Sequence, residues 1–321
     1  MSTRAHGEVT RRQGGQSPRE VVLGALVLVQ VFFGIHYLAA KVLLEFIPPR
    51  TWAVLRAVSA ALVLLAVARV LRRPLPLGRG DLARLALFSI FGVIINQVCF
   101  VEGLHRTTPG HSSIIMTTIP VGALLFGVIL RRETINLWKL LSLVVSFLGV
   151  MLVILSSSGS SPVEGILSGD TLVGDLLTLV NALSYSFFLV ISSRLLTRID
   201  PMGATVVLLG FGALGILALG WPQLLAFDPT GVPMKIWWMG LFIVLFPTVL
   251  AYVLMYWALS REGSYMVALF IYLQPLIATA LSALLLGERP GAPVLAGGGL
   301  IFLGVYLAMQ PGRGASAPAA P

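Results

Sequence analysis

The sequence predicts an all-α membrane protein of ten transmembrane helices arranged as two inverted five-helix repeats, and three observations predict it. First, 57% of the 321 residues are hydrophobic and only 11% are charged, with mean hydropathy +0.94. A soluble domain carries roughly 25% charged residues. Second, the back half of the chain matches the front half under a shift of 155 positions. Pro120 falls on Pro275, Glu133 on Glu288, Arg106 on Arg261, and Phe147-Leu148-Gly149-Val150 on Phe302-Leu303-Gly304-Val305. Third, Lys and Arg concentrate in alternate connections between the apolar runs, as the positive-inside rule requires of a multi-span protein.

Taken in order, the chain begins with a polar tail over 1–20 that carries Arg4, Arg11, Arg12 and Arg19. The apolar stretch that follows is too long for a signal peptide and contains Lys41 near its end, so it reads as a retained first span. A helix needs about 20 apolar residues to cross the ~30 Å hydrocarbon core. The runs place helices near 21–46, 51–71, 82–104, 111–130 and 138–155, which together form the first repeat, 21–155. A Ser/Gly-rich linker over 156–172 leads to the second repeat, 173–310, with helices near 173–196, 203–220, 237–259, 265–286 and 294–310. Pro48-Pro49, Pro109-Gly110 and Pro290-Gly291 mark tight connections. A Gly/Ala/Pro-rich tail over 311–321 reads as unstructured.

Sixteen of the 22 Lys and Arg residues fall in connections on the side of the N-terminus, and four fall opposite. The remaining two, Lys41 and Arg56, lie within spans. Both termini are therefore expected in the cytoplasm, with the chain in a bacterial inner membrane. Five helices is an odd number, so the second copy enters the membrane from the other side and the repeats are inverted. Inverted repeats exchange conformations around a shared midplane site, which is the architecture of secondary transporters.

The stretch Asn96 to Glu133 and its partner Tyr252 to Glu288 each run helix, short loop, proline-broken helix, glutamate. With the first-helix phrase GIHYLAAK ending at Lys41, these segments resemble the drug/metabolite transporter superfamily, specifically its EamA-type members with two fused five-helix domains. The resemblance covers about 21–310 and implies export or exchange of small metabolites. The small multidrug members of that superfamily carry a glutamate in the middle of the first helix. This chain has His36 there and its only acid, Glu45, at the helix end.

Polar side chains inside a bilayer are costly and so carry information. His36 lies ~15 Å from the end of its helix at 1.5 Å per residue. Either it binds substrate or exchanges a proton, or it is a neutral histidine bonded to a neighbouring helix. Lys41 is within snorkelling reach of the interface, and its match under a shift of 153 is Arg194, which favours a structural or interfacial role for both over a substrate carboxylate at Lys41. Arg56 is expected to pair with an acid such as Glu45 or with lipid phosphate. Asn96 and Gln97 lie 100° apart on one helix, so at most one points squarely into a narrow cavity. Gln97 matches Tyr252, and this pair is the first choice for the cavity lining. Tyr37, Asn181, Tyr185, Tyr272 and Gln274 complete the candidate substrate-binding set, with His36, Lys41, Arg56 and Glu102 as candidates for coupling or charge pairing. Pro120 and Pro275 sit mid-span at matched positions, each removing a backbone donor, and are read as hinges. Glu133 and Glu288 are read as forming helix-end salt bridges with loop arginines.

Three other features lead nowhere. Gly210 to Gly215 spells GxGxxG, but without the strand and acid that dinucleotide binding needs it is a helix-packing stripe. A net charge of +9 suggests nucleic acid, yet the basic residues sit between apolar runs and form no stripe with aromatics. The single cysteine, Cys99, excludes an intrachain disulfide. No metal ligand set, cofactor motif or catalytic constellation is present, so the chain is not expected to be an enzyme. The expectation is a monomeric secondary transporter of small metabolites, such as an amino acid or related compound. It would act outward by alternating access, with protons as candidate coupling ion. The alternatives are a facilitative exchanger and a flippase-like lipid handler.

Overall fold

The computed structural model describes residues 19–76, 78–107, 112, 115–157, 169–277 and 292–309. Helices α1 (Arg19–Leu43), α2 (Pro49–Val70), α3 (Arg79–Arg106), α4 (Thr118–Ile129) and α5 (Leu137–Ser157) precede the linker. They are followed by α6 (Gly169–Leu196), α7 (Pro201–Leu225), α8 (Met234–Leu259), α9 (Ser264–Ile277) and α10 (Ala292–Met309). No strand occurs among the described residues. Six of these helices, α1, α2, α3, α6, α7 and α8, are long and apolar enough to cross a membrane, and the other four contain shorter apolar stretches.

The sequence reading differs from the structure mainly at the ends of elements. The linker expected over 156–172 is shorter, because α5 runs to Ser157 and α6 starts at Gly169. The helix expected from 111 is interrupted by a turn at Thr117, three residues before Pro120. Its counterpart α9 tightens into a 3₁₀ turn at Phe270–Tyr272, three residues before Pro275. Both prolines thus follow a local departure from α geometry at matched positions. The N-terminal tail expected over 1–20 is shorter, because α1 starts at Arg19; residues 1–18, the C-terminal tail, Pro109-Gly110, Glu288 and Pro290-Gly291 lie outside the described residues.

Packing between the halves respects the internal repeat. α2 packs on its counterpart α7, α4 on α9 and, most extensively, α5 on α10. The contact of α3 with α6 has its mate in α8 with α1, and that of α3 with α7 has its mate in α8 with α2. The repeated Phe-Leu-Gly-Val motif makes the α5–α10 crossing close. A Cβ on Gly149 would stand 2.6 Å from the Gly297 carbonyl oxygen, and one on Gly304 would stand 2.7 Å from the Ser142 carbonyl oxygen. Lipid supplies no hydrophobic drive between helices, so such contact rests on small residues and van der Waals fit. The GxGxxG stripe behaves likewise, with Gly212 and Gly215 held against Val93 and Ile94 of α3.

A second symmetric feature was not foreseen. α3 widens into a π turn at Ile90–Ile95 and α8 does so at Val244–Leu250. Shifted by 155, the first segment becomes 245–250, and Gly92 falls on Pro247. Each π turn releases backbone acceptors from the α ladder, as π-bulges do. Pro247 cannot donate to the Ile243 carbonyl one turn back, and the Thr248 hydroxyl donates to that oxygen instead, at 2.9 Å. In α3 the Ser184 hydroxyl, reaching from α6, donates to the Phe91 carbonyl at 2.8 Å.

Helix direction alternates along the chain, and the polar contacts agree with it. At one end of the bundle Arg50 pairs with Glu102 at 2.8 Å, the Arg50 backbone N–H donates to Gln223, and Thr107 donates to Asp175. At the other end Arg19 pairs with Glu262 and Arg73 with Asp200. Large apolar side chains such as Leu62, Leu214 and Phe302 face outward, while Gln30, His36, Arg56, Gln97, Asn181 and Gln274 are buried. This is the reverse of a soluble protein, and it suits a hydrocarbon surround.

Candidate functional site

A cavity of about 60 Å³, room for several water molecules, lies between the two halves beside the π turn of α8. The helices present lining residues at three- or four-residue spacing, which places them on one face. α1 contributes Phe33, His36 and Tyr37, α3 contributes Asn96 and Phe100, α6 contributes Asn181 and Tyr185, and α8 contributes Thr248 and Tyr252. Arg56 enters from α2, and Ile271 and Gln274 from α9.

Seven of the nine residues expected to bind substrate therefore surround this space: His36, Tyr37, Asn96, Asn181, Tyr185, Tyr252 and Gln274. The other two do not. Of the adjacent amides on α3, Asn96 faces the cavity and donates to Asn181 at 2.6 Å. Gln97, turned by 100°, is fully buried and does not line the cavity, although its amide lies close to the Tyr252 hydroxyl. Tyr272 falls in the 3₁₀ turn, which directs Ile271 to the cavity and buries the tyrosine ring completely.

The charged candidates separate into two places. Lys41 is not at the cavity: its ammonium donates to the carbonyls of Leu104, His105 and Thr107 at 2.8, 3.3 and 2.8 Å. It thereby caps the C-terminus of α3, where a cation is favoured by the helix dipole. Glu102 is also at that end, between Arg50 and Arg106. Arg56 pairs with neither Glu45 nor a surface group. It is 3% exposed, lines the cavity, and its Nη1 donates to His36 Nε2 at 2.9 Å. Because an arginine has no acceptor, this bond places the lone pair of His36 on Nε2. Phe100 stacks on His36 and lies under the guanidinium, 5.9 Å from its centre.

Several buried polar atoms near this space have no partner. They are Arg56 Nε, Asn181 Nδ2, the Tyr185 hydroxyl, Gln274 Oε1 and Gln30 Nε2. Buried polar groups are nearly always satisfied, so these atoms retain hydrogen-bonding capacity that a polar group in this space would meet. Gln30, which accepts from Gln274 at 2.7 Å, escaped the sequence reading although a glutamine in mid-span was a visible signal. Thr248 and Pro247 escaped too, and the match of Gly92 with Pro247 could have located them. Phe33, Phe100, Met116, Ile119 and Ile271 gave no signal, since apolar residues in apolar helices do not reveal which face looks inward.

Glu133 pairs with Lys139 at 2.7 Å, with both side chains nearly or fully buried. The expected partner was a loop arginine. The Tyr265 hydroxyl of α9 donates to the Lys139 carbonyl at 2.9 Å, which ties α5 to α9.

The profile of the EamA-like transporter family matches residues 21–155 and 172–310 of this chain. An uncharacterized transporter of Archaeoglobus fulgidus is 24% identical over 290 residues, covering 89% of this chain and 97% of its own. The uncharacterized transporter YetK of Bacillus subtilis is 26% identical over 265 residues, covering 82% and 79%. A WAT1-related chloroplast protein of Arabidopsis thaliana is 25% identical over 297 residues, covering 89% and 69%. One crystal structure shares the fold with a TM-score of 0.72 at 18% identity, over 91% of this chain and 97% of the other.

Proposed function

This chain belongs to the EamA-like transporter family, and from that membership and the cavity between its halves we propose that it is a secondary transporter of small metabolites. The ten helices cross a bacterial inner membrane as two inverted repeats with both termini in the cytoplasm, and one chain suffices. The solute occupies the cavity and meets His36, Tyr37, Asn96, Asn181, Tyr185, Tyr252 and Gln274. Access alternates as the halves rock about it, with the turns before Pro120 and Pro275 acting as hinges and the flux directed outward. Protons are the proposed coupling ion, with His36 the group that carries them.

One observation carries this reading: polar side chains from both halves converge on one buried cavity beside helix breaks that repeat at a shift of 155. A helix break is tolerated at membrane depth where it lines a cavity, and repeat-related breaks at the midplane are the pattern of alternating-access folds. The lipid-handling alternative calls for an arginine near the headgroups, whereas Arg56 faces the interior.

The test is transport by the purified full-length chain in liposomes, with inner and outer pH set separately. A panel of amino acids, organic acids, amines and sugar derivatives should contain at least one solute moved faster than in protein-free vesicles. Movement of none of them would sink the reading.

A further inference from the structure

We propose that the transported solute is a small monocarboxylate with an apolar body, and that Arg56 is the counter-ion of its carboxylate. This rests on the transport reading above and goes beyond it by naming the solute class.

Arg56 is a buried cation whose every contact is neutral. His36 accepts one of its hydrogen bonds, and the Phe100 ring lies beneath it. Among the described residues no carboxylate pairs with it, and the acids that do form ion pairs hold other cations. Glu102 holds Arg50 and Arg106, Glu133 holds Lys139, Asp200 holds Arg73, and Glu262 holds Arg19. Buried charges are otherwise paired, and arginines inside membranes pair or mark a substrate path. The guanidinium also keeps free donors, since Nε is buried without an acceptor. A planar fork with unused N–H groups suits a carboxylate, which accepts two parallel bonds.

The rest of the lining sets the solute's charge and shape. Among the described lining residues there is one guanidinium and no acid. An ammonium group would find no acid, only neutral acceptors such as Gln274 Oε1, which disfavours amines and zwitterions. A phosphate monoester would bring a second negative charge with no second fixed cation to receive it. Phe33, Met116, Ile119 and Ile271 face the same space and fit an apolar body. The Asn96–Asn181 pair and Gln274 stand ready for one further polar group.

The test compares benzoate with benzamide and benzylamine, which match it in size, and with the larger zwitterion phenylalanine, with palmitate added as the carboxylate that would arrive from the bilayer. Binding is read as thermal stabilisation of the purified full-length protein, and transport as uptake into liposomes. Benzoate should stabilise and be taken up, and the other three should do neither. Arg56→Gln should weaken benzoate binding at least tenfold, about the loss expected for one charged hydrogen bond. Arg56→Lys, which keeps the charge but loses the fork, should bind with intermediate affinity and serves as the folded control.

Stabilisation by benzylamine or benzamide that survives Arg56→Gln overturns the carboxylate assignment and leaves transport standing. Stabilisation by palmitate alone overturns the assignment to a water-soluble solute. Benzoate binding that depends on Arg56 but comes with no uptake of any solute supports the anion site and sinks the transport reading.

Discussion

Gly149→Ala adds one methyl group at the α5–α10 crossing, and the structure lets its cost be worked out. The new Cβ would lie 2.6 Å from the Gly297 carbonyl oxygen and 2.8 Å from the Ile301 nitrogen. Both are backbone atoms, so no side chain can swing away. Ordinary contact begins at 3.4 Å, so the helices must part by about 0.8 Å at this point, the difference of 2.6 from 3.4. Inserting a methyl into a well-packed contact costs about 1–3 kcal/mol. Removing a helical glycine returns about 0.5–1 kcal/mol in backbone entropy, which leaves a net loss of up to about 2.5 kcal/mol, and a deficit of about 1–3 kcal/mol against a glycine replaced in open space. Gly24→Ala in α1 has nothing within 4 Å of the added Cβ, so it should show the entropy gain alone. Reversible unfolding in mixed micelles by denaturant titration measures both. A Gly149→Ala protein as stable as Gly24→Ala would refute the close crossing, and the repetition of Phe-Leu-Gly-Val would need another cause.

Three more outcomes are expected. Lys139→Met removes the cation 2.7 Å from buried Glu133 and should destabilise by about 3–5 kcal/mol, whereas adding Glu133→Gln should recover most of the loss; a double variant no better than the single, in the same unfolding assay, contradicts this. Thr248→Ala strips the hydroxyl that serves the Ile243 carbonyl beside Pro247 and should cost about 1–3 kcal/mol, while Thr248→Ser should stay near wild type. His36→Asn retains an acceptor for Arg56 but cannot titrate, so liposome transport should lose whatever pH dependence the unaltered chain shows. An unchanged pH profile would take His36 out of coupling.

Most of the frame could be read along the chain. Apolar runs located α1 to α10, and the repeated prolines anticipated the turn at Thr117 and the 3₁₀ segment at Phe270–Tyr272. The site was legible in part, because a polar residue in the middle of an apolar run identifies itself. His36, Asn181, Tyr185 and Gln274 were found that way. Rotation was harder. Asn96 and Gln97 differ by only 100°, and the π turn just before them at Ile90–Ile95 shifts helical phase, so counting residues could not decide between them. The partners of the cations Lys41, Arg56 and Lys139 were not legible, for one reason. A cation's role depends on what lies beside it: helix-end carbonyls for Lys41, a histidine and an aromatic ring for Arg56, a buried glutamate for Lys139.

By itself the sequence determined that the chain lives in a membrane, how its helices follow one another, and that its two halves share one plan. Hydropathy and internal repetition are properties of neighbouring positions and need no third dimension. Tertiary structure alone decided that Arg56 faces a cavity without an acid while Lys41, fifteen residues earlier, closes a helix end. That choice depends on contacts such as Lys41 with Leu104 and Asn96 with Asn181, between residues 63 and 85 positions apart. Only packing brings such residues within hydrogen-bond reach.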